Sequence, residues 1–356
     1  MHELSSHSRI GKDPDVINKV RIAQYSTKHG HAVSKMDAMR KNAEVEVAGV
    51  YEPDPERRRQ VQENDPTYRD LHWYNSVEEM LNDPTIVAVA SEGLNRESLD
   101  HTEAIIQAGK HCWYDKPAGD NWQQWQRIIA QAEDKNLQVQ MGYMFRYHIG
   151  FQQVTEWART GFLGDVFSVR AHMSTWIPYE RGNNLGYNTR DTIAYHKGGL
   201  LFDLGGHMLD QICWMLGRPH KVTSFLRNDT GIVPELADNT LGVFEFERAF
   251  AMVDIAAMET RPMARRFEIY GTKGSAILVE PFEPANAIRL CLEEAAGDYE
   301  KGVNMIQLRQ QHRDEAHELE LKSFVATIRG EQAPDRPLSH ELLVQETLLR
   351  ATGGVQ

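Results

Sequence analysis

The sequence predicts two domains: a doubly wound α/β domain built on a parallel sheet, then an α+β domain carrying a large, mostly antiparallel open sheet. Three observations predict them. Up to Gly142, strand-length apolar runs alternate with helix-length amphipathic segments, which is the grammar of β-α-β units. From His220 to Val279 the pattern changes to apolar-polar alternation split by turns such as Asn228-Asp-Thr-Gly231 and Gly271-Thr-Lys-Gly274. The length of 356 residues is enough for two separate cores.

Taken in order, Val20 to Tyr25 reads as a strand, Ala32 to Arg40 as a helix, and Val45 to Tyr51 as a second strand closing on Glu52 and the turn Pro53-Asp54-Pro55. Ile86 to Ala90 is a buried strand, Glu97 to Ala108 a helix, His111 to Tyr114 a strand, Trp122 to Asp134 a helix and Val139 to Gly142 a last strand. The loops after Tyr25, Glu52, Ala90 and Tyr114 fall at the carboxyl edge of such a sheet, where its ligands bind. Beyond Gly142 come a helix from Phe151 to Thr160, a strand from Val166 to Ser174, a polar aromatic loop from Trp176 to Lys197 and a helical segment from Gly198 to Leu216. Two helices, Asp314 to Arg329 and Ser339 to Ala351, close the chain. The expected organisation is a flexible tail over 1–18, a nucleotide-binding domain over 19–143, a substrate-binding and oligomerisation domain over 144–338, and a C-terminal helix over 339–356 placed to pack back on the first domain.

Lys plus Arg total 39 against 51 Asp plus Glu, a net charge of −12 without a dense basic cluster, so nucleic acid is not an expected partner. The apolar runs are strand-length, and residues 1–10 lack the apolar core of a signal peptide, so no membrane span and a cytoplasmic location are expected. Cys112, Cys213 and Cys291 lie far apart, which fits a reducing compartment and excludes a cysteine-rich zinc site.

Three stretches carry chemistry. In a helix, Asp203, His207 and Asp210 are spaced i, i+4 and i+7 and share one face, and Gly205 and Gly206 between them imply a close approach to that backbone. Tyr114-Asp-Lys-Pro117 ends a strand and holds Lys116 at the carboxyl edge beside Asp115. In the first loop the positions where such domains carry glycines against a pyrophosphate hold Ser26, Lys28 and His31. Glu52, at the end of the second strand, stands where a carboxylate takes adenosine ribose hydroxyls and repels a 2′-phosphate, which favours NAD over NADP.

A set of ordered motifs extends from about residue 20 to the end. They are Ala108-Gly-Lys-His111, Tyr114-Asp-Lys-Pro117, Gly142-Tyr-Met-Phe-Arg-Tyr147, Gly161-Phe-Leu-Gly-Asp-Val166, the Gly198-Gly to Asp210 segment, and Glu268-Ile-Tyr-Gly-Thr-Lys-Gly274. In these the chain resembles the glucose-fructose oxidoreductase, inositol dehydrogenase and MocA family. The resemblance implies a Rossmann domain followed by an open, mostly antiparallel sheet often used for oligomerisation, here a dimer or tetramer. It implies Lys116, Asp203 and His207 as the catalytic group, with NAD as cofactor held by Ser26, Thr27, Lys28, His29, His31, Glu52, Ser91, Glu92, Asn95, Asp115 and Lys116. Candidates for a sugar or polyol pocket are Arg146, Tyr147, His172, Trp176, Tyr195 and His196 together with Asp203 and His207. The sequence departs from the family in its glycine loop, and where the family writes Thr-Pro-Asn it reads Ser91-Glu-Gly-Leu-Asn95.

The expected activity is hydride transfer between a secondary hydroxyl of a sugar, polyol or sugar derivative and NAD, with His207 taking the hydroxyl proton and Lys116 and Asp203 assisting. Alternatives are cleavage or isomerisation of a glycoside through transient oxidation by resident NAD, and a non-catalytic sugar- or dinucleotide-binding protein. A metal site from Asp203, His207 and His172 or His196 is permitted by spacing, but no metal is expected.

Overall fold

The computed structural model describes residues 19–177, 189–284 and 286–355. The tail over 1–18 and most of the aromatic loop after Trp176 lie outside the described residues.

The first domain is a five-stranded parallel sheet in the order β2-β1-β3-β4-β5. Its strands are β1 (Val20–Tyr25), β2 (Val45–Tyr51), β3 (Ala88–Ser91), β4 (His111–Tyr114) and β5 (Val139–Met141). The inner strands are short runs buried on both faces, such as Ala88–Ser91, in which every residue is buried, while the edge strand β2 exposes Glu46. The connecting helices are α1 (Ala32–Lys41), α2 (Pro55–Asn64), α3 (Val77–Leu81), α4 (Asn95–Gln107) and α5 (Trp122–Asp134). In α5, Trp125, Ile128, Ile129 and Ala132 recur at helical spacing and are buried, and the Asn121 side chain accepts from the Gln124 amide at its start. The Pro53-Asp54-Pro55 turn proves to be a helix start. Pro55 supplies the first helical position and Asp54 accepts from the amides of Glu56 and Arg57. The strongly polar α2 buries only Val61, so it shows no apolar stripe to read.

The order reverses on either side of β1, and the carboxyl ends of β1 and β3 flank the crevice where ligands of such sheets bind.

The second domain is an eight-stranded sheet in the order β13-β12-β11-β10-β6-β9-β8-β7. It comprises β6 (Val166–His172), β7 (Lys221–Arg227), β8 (Asn239–Glu245), β9 (Phe250–Ala256), β10 (Arg266–Gly271), β11 (Gly274–Leu278), β12 (Ala287–Leu292) and β13 (Gly302–Gln307). All pairs are antiparallel except β6 with β9. The alternation therefore runs two strands beyond Val279, where β12 buries Ile288, Leu290 and Leu292 on one face. That inner face packs on α6 (Ile149–Arg159) and α8 (Gly199–Leu216), with a four-residue helix α7 (Arg190–Ile193) leading into α8.

The two closing helices join the domains. α9 (Arg313–Ile328) follows the second sheet in sequence, yet it packs on α1 and sinks Leu321, Phe324 and Val325 into the first domain's core. Each of these side chains contributes about 1.5–3 kcal/mol of burial. α10 (Leu338–Thr352) packs mainly on α8 and also on α5 and β5. Among the described residues no helix is long and apolar enough to cross a membrane. Burial pushes the thiols of Cys112 and Cys213 up to about 12. They are inert core residues.

Candidate active site

Helix α8 fixes one wall of the site. It begins where Gly198 (φ 88) and Gly199 (φ 47) turn left-handed, and a Cβ on Gly199 would lie 2.2 Å from the Ala237 carbonyl oxygen. From this start Asp203 and His207 reach a cavity of about 260 Å³, also lined by His31, Lys116, Thr175, Trp176, Arg261, Arg265 and Arg313. Asp210 does not reach it. Seven residues along a helix is about 10 Å of rise, and Asp210 lies deeper, where its carboxylate bonds Arg146 and sits 2.8 Å from His340 Nε2. Of the glycines between them, Gly205 serves helix packing rather than a ligand, and Gly206 makes only ordinary contact. A Cβ on Gly205 would lie 3.1 Å from Leu201 and 3.3 Å from Leu348 of α10, and one on Gly206 would lie 3.5 Å from Tyr143.

Lys116 comes from the other domain. Its ammonium donates to the Asp203 carbonyl at 2.9 Å, and its backbone amide donates to Asp115 Oδ1 at 2.9 Å. The Asn95 side-chain amide at the start of α4 donates to Asp203 Oδ1 at 3.1 Å, so the Asp203 side chain is oriented from the first domain. His207 is buried against Phe145, ring centroids 5.1 Å apart, and its Nδ1 has no hydrogen-bond partner among the described residues. Burial first, then the charges of Lys116, His31 and Arg313, hold His207 well below the ordinary histidine value. It is a neutral imidazole.

The first loop keeps the shape that glycine would give. Ser26 has φ 67, the left-handed conformation, and its hydroxyl donates to Glu52 at 3.0 Å. Glu52 also accepts from the amide and hydroxyl of Thr27 at 2.7 and 2.9 Å and from the Asp54 amide at 3.1 Å. The backbone amides of Lys28 and His29 turn inward to the Glu92 carbonyl. The Lys28 ammonium faces Glu97 at 3.2 Å and Asp54 at 3.5 Å. Ser91 lies beneath, buried, its hydroxyl accepting from Thr102. Behind the loop, His29 and His31 approach Asp115, while Lys35 lies 2.9 Å from Glu92 and 3.3 Å from Asp115. Burial opposes the charge of Asp115, but His29, His31 and Lys35 hold its carboxyl well below the usual range.

The remaining pocket candidates separate. Trp176 lines the cavity, set there by a bridge to Met258 and covered by the Arg261 guanidinium at 5.0 Å. Arg146 is buried with Asp210 and stacks on Trp214 at 4.0 Å, and the Tyr147 hydroxyl bonds Asp335. His172 lies between Asp254 and Glu259, which raise its pKa, Asp254 most. His196 pairs with Asp120 at 2.9 Å, and Tyr195 is exposed under Arg96 at 5.6 Å. None of Arg146, Tyr147, His172, Tyr195 and His196 lines the cavity, so His172 and His196 do not join Asp203 and His207 around a metal. Among the residues that sequence reading passed over, the cavity adds three arginines, Arg261, Arg265 and Arg313. Glu283 bridges the last two, at 2.6 and 3.1 Å, and is held below the ordinary value against the effect of burial. The signal for two of them was the basic run from Arg261 to Arg266 inside an apolar alternation.

Comparison with known proteins bears on this arrangement. Residues 21–143 match the model of an oxidoreductase family described as an NAD-binding Rossmann fold, and residues 151–277 match the GFO/IDH/MocA C-terminal domain. The chain belongs to the Gfo/Idh/MocA oxidoreductase family. An inositol 2-dehydrogenase of Salmonella typhimurium is 24% identical over 270 residues, 75% of this chain and 74% of its own. An uncharacterised oxidoreductase of Schizosaccharomyces pombe is 27% identical over 161 residues, 45% of this chain and 42% of its own. The chain thus spans less than half the length of that curated relative, and 61% of an uncharacterised oxidoreductase of Escherichia coli. A solved levoglucosan dehydrogenase, in complex with NADH and levoglucosan, superposes with TM-score 0.80 at 16% identity, covering 94% of this chain and 97% of that one. At that identity the likeness is one of fold. This Gfo/Idh/MocA chain therefore has the family's two-domain architecture, with Lys116 and His207 brought from separate domains to one cavity.

Proposed function

We propose that this protein is an NAD-dependent oxidoreductase that moves hydride between nicotinamide and a secondary hydroxyl of a sugar, polyol or sugar derivative. The observation that carries the reading is the convergence of Lys116, Asp203 and a neutral His207 on one cavity. The residues present fit a dinucleotide. Ser26 retains the left-handed turn of the first loop, Glu52 ends β2, and Lys28 offers an ammonium where the inward-turned amides offer no donors. Glu52, Lys28 and Asn95 would line its path and Lys116 its reactive end, while Ser91 and Glu92 lie fully buried behind the loop. When bound, the nicotinamide supplies the hydride acceptor. His207 then takes the hydroxyl proton, Lys116 donates to the same oxygen, and Asp203, oriented by Asn95, fixes a neighbouring hydroxyl. Trp176 gives a face for ring C–H groups, and Arg261, Arg265 and Arg313 favour a substrate bearing an acid group.

The test is NADH formation across a panel of polyols, sugars and sugar acids, with mass spectrometry of the purified protein for bound dinucleotide. No oxidation of any of them with either NAD or NADP, and no dinucleotide bound, overturns the reading. On the same assay, Glu52→Gln is expected to narrow the preference for NAD over NADP, because a neutral amide of the same size no longer repels a 2′-phosphate. A wild type that binds NADP more tightly than NAD contradicts this.

The chain is also proposed to assemble with itself. Phe225, Phe250, Val303 and Met305 on three strands of the large sheet are 56%, 57%, 56% and 53% exposed. Apolar groups of this size on one open sheet are the usual material of a subunit contact. Light scattering at micromolar concentration is expected to report a dimer or tetramer, and a monomer contradicts it.

A further inference from the structure

Behind the first loop lies a cluster that hydride transfer at Lys116 and His207 does not use. His29 Nδ1 stands 3.2 Å and His31 Nδ1 3.0 Å from the same oxygen of Asp115, and the three donor groups lie within 4.8 Å of one another. We propose that His29, His31 and Asp115 bind one divalent first-row transition-metal ion at the edge of the active cavity.

Three observations point there. The first is geometry. His29 Nδ1, which accepts the His31 amide at 3.1 Å, and His31 Nδ1 converge on one oxygen of Asp115, so the three donor groups already face a point that a cation can occupy. The second is burial. Glu92, Asp115 and Glu320 are buried carboxylates gathered about Lys35, whose ammonium lies 2.9 Å from Glu92 and 3.3 Å from Asp115, and a buried carboxylate cluster is costly unless cations join it. The third is an imidazole without a hydrogen bond. His317 is fully buried, neither of its ring nitrogens has a hydrogen-bond partner among the described residues, and its ring centroid is 4.9 Å from that of His31. Its Nδ1 lies 3.6 Å from Glu320, so it can complete or support the shell. Asp115 is already oriented by the Lys116 amide on its other oxygen.

Two imidazoles and one carboxylate select a borderline ion such as zinc, iron(II), cobalt(II) or manganese over calcium or magnesium. His31 lines the same cavity as Lys116 and His207, its ring centroid 6.4 Å from that of His207, so the ion would sit beside the reacting groups. The proposal is independent of the dehydrogenase reading, since it concerns these side chains alone.

The test uses the full chain, stripped with a chelator and titrated with cobalt(II) followed by visible absorption, and with zinc(II) followed by calorimetry. One equivalent is expected to bind with micromolar affinity or tighter, and X-ray absorption of the zinc-loaded wild type is expected to show imidazole nitrogens in its shell. His31→Gln and Asp115→Asn, with circular dichroism and melting as checks of folding, are expected to bind about 100-fold more weakly. His172→Gln, which removes the imidazole of the other histidine-carboxylate cluster on the second sheet, is expected to bind as the wild type does. A wild type that takes up no stoichiometric metal, a loaded site without imidazole nitrogen, or folded His31 and Asp115 variants of unchanged affinity each overturn the proposal.

Discussion

Replacing His207 by Asn is expected to lower kcat on a substrate the wild type uses by about 10²–10⁴-fold, the range for loss of a positioned general base. The structure supplies the reason. His207 is buried, neutral and, among the described residues, without a hydrogen-bond partner at Nδ1, and it shares the cavity with the Lys116 ammonium. Asparagine is close to it in size and cannot accept the proton. Lys116→Met should lower kcat and kcat/KM together, because a hydrogen bond that strengthens as negative charge develops on the substrate oxygen acts chiefly in the transition state. Dinucleotide affinity should change little in the His207 variant. Single-turnover hydride transfer separates the two roles. Near wild-type turnover in both variants removes the catalytic assignment and leaves the binding-protein reading to be taken up.

Replacing Asp210 by Asn is expected to destabilise the fold by about 3–5 kcal/mol, the cost of leaving a buried guanidinium without its partner. Asp210 bonds Arg146 and lies 2.8 Å from His340, and both Asp210 and the Arg146 side chain are out of contact with solvent. Burial opposes its charge, but Arg146 first and then His340 and Arg336 hold the carboxyl far below its ordinary value. The sign of the pH dependence follows. A carboxyl depressed in the folded state contributes its full stability above the unfolded value of about 4 and loses it as the pH falls below that. Urea unfolding at pH 7 and pH 3 measures both effects: the gap between wild type and Asp210→Asn should shrink at the lower pH. The double variant Arg146→Met, Asp210→Leu should recover part of the loss, since removing both partners leaves no orphaned charge. A single variant as stable as the wild type at pH 7 contradicts the network.

Several elements were legible because their signals are local. The period of two in β8 and β9, the period near 3.6 in α5 and the short buried strands β1, β3 and β4 follow from which faces are buried, and the limits of β1, β3, β4 and α5 read within a few residues. Helix α2 was hidden because a helix that buries one residue has no stripe, although its Asp-Pro start was in plain view. The placement of Lys116, Asp203 and His207 was legible in the same way, from a strand end and an i, i+4 pair.

What the sequence by itself determined, then, was the fold class, the order of most elements and the family, and it marked Lys116, Asp203 and His207, which the structure brings to one cavity. Only the tertiary structure decided which of the remaining candidates meet them. Spacing along a helix ranks Asp210 with Asp203 and His207, but three-dimensional packing gives Asp210 to Arg146 and His340. The arginines of the cavity arrive from two segments, Arg261 and Arg265 from the turn before β10 and Arg313 from the start of α9, and no local pattern joins the two segments. The His29, His31, Asp115 cluster likewise unites a first loop with the end of the fourth strand, across 84 residues between His31 and Asp115. Sequence encodes neighbours along an element through its periodicity, whereas contacts between elements depend on how apolar faces dock, and polar side chains at the seams are brought together as a consequence of that docking.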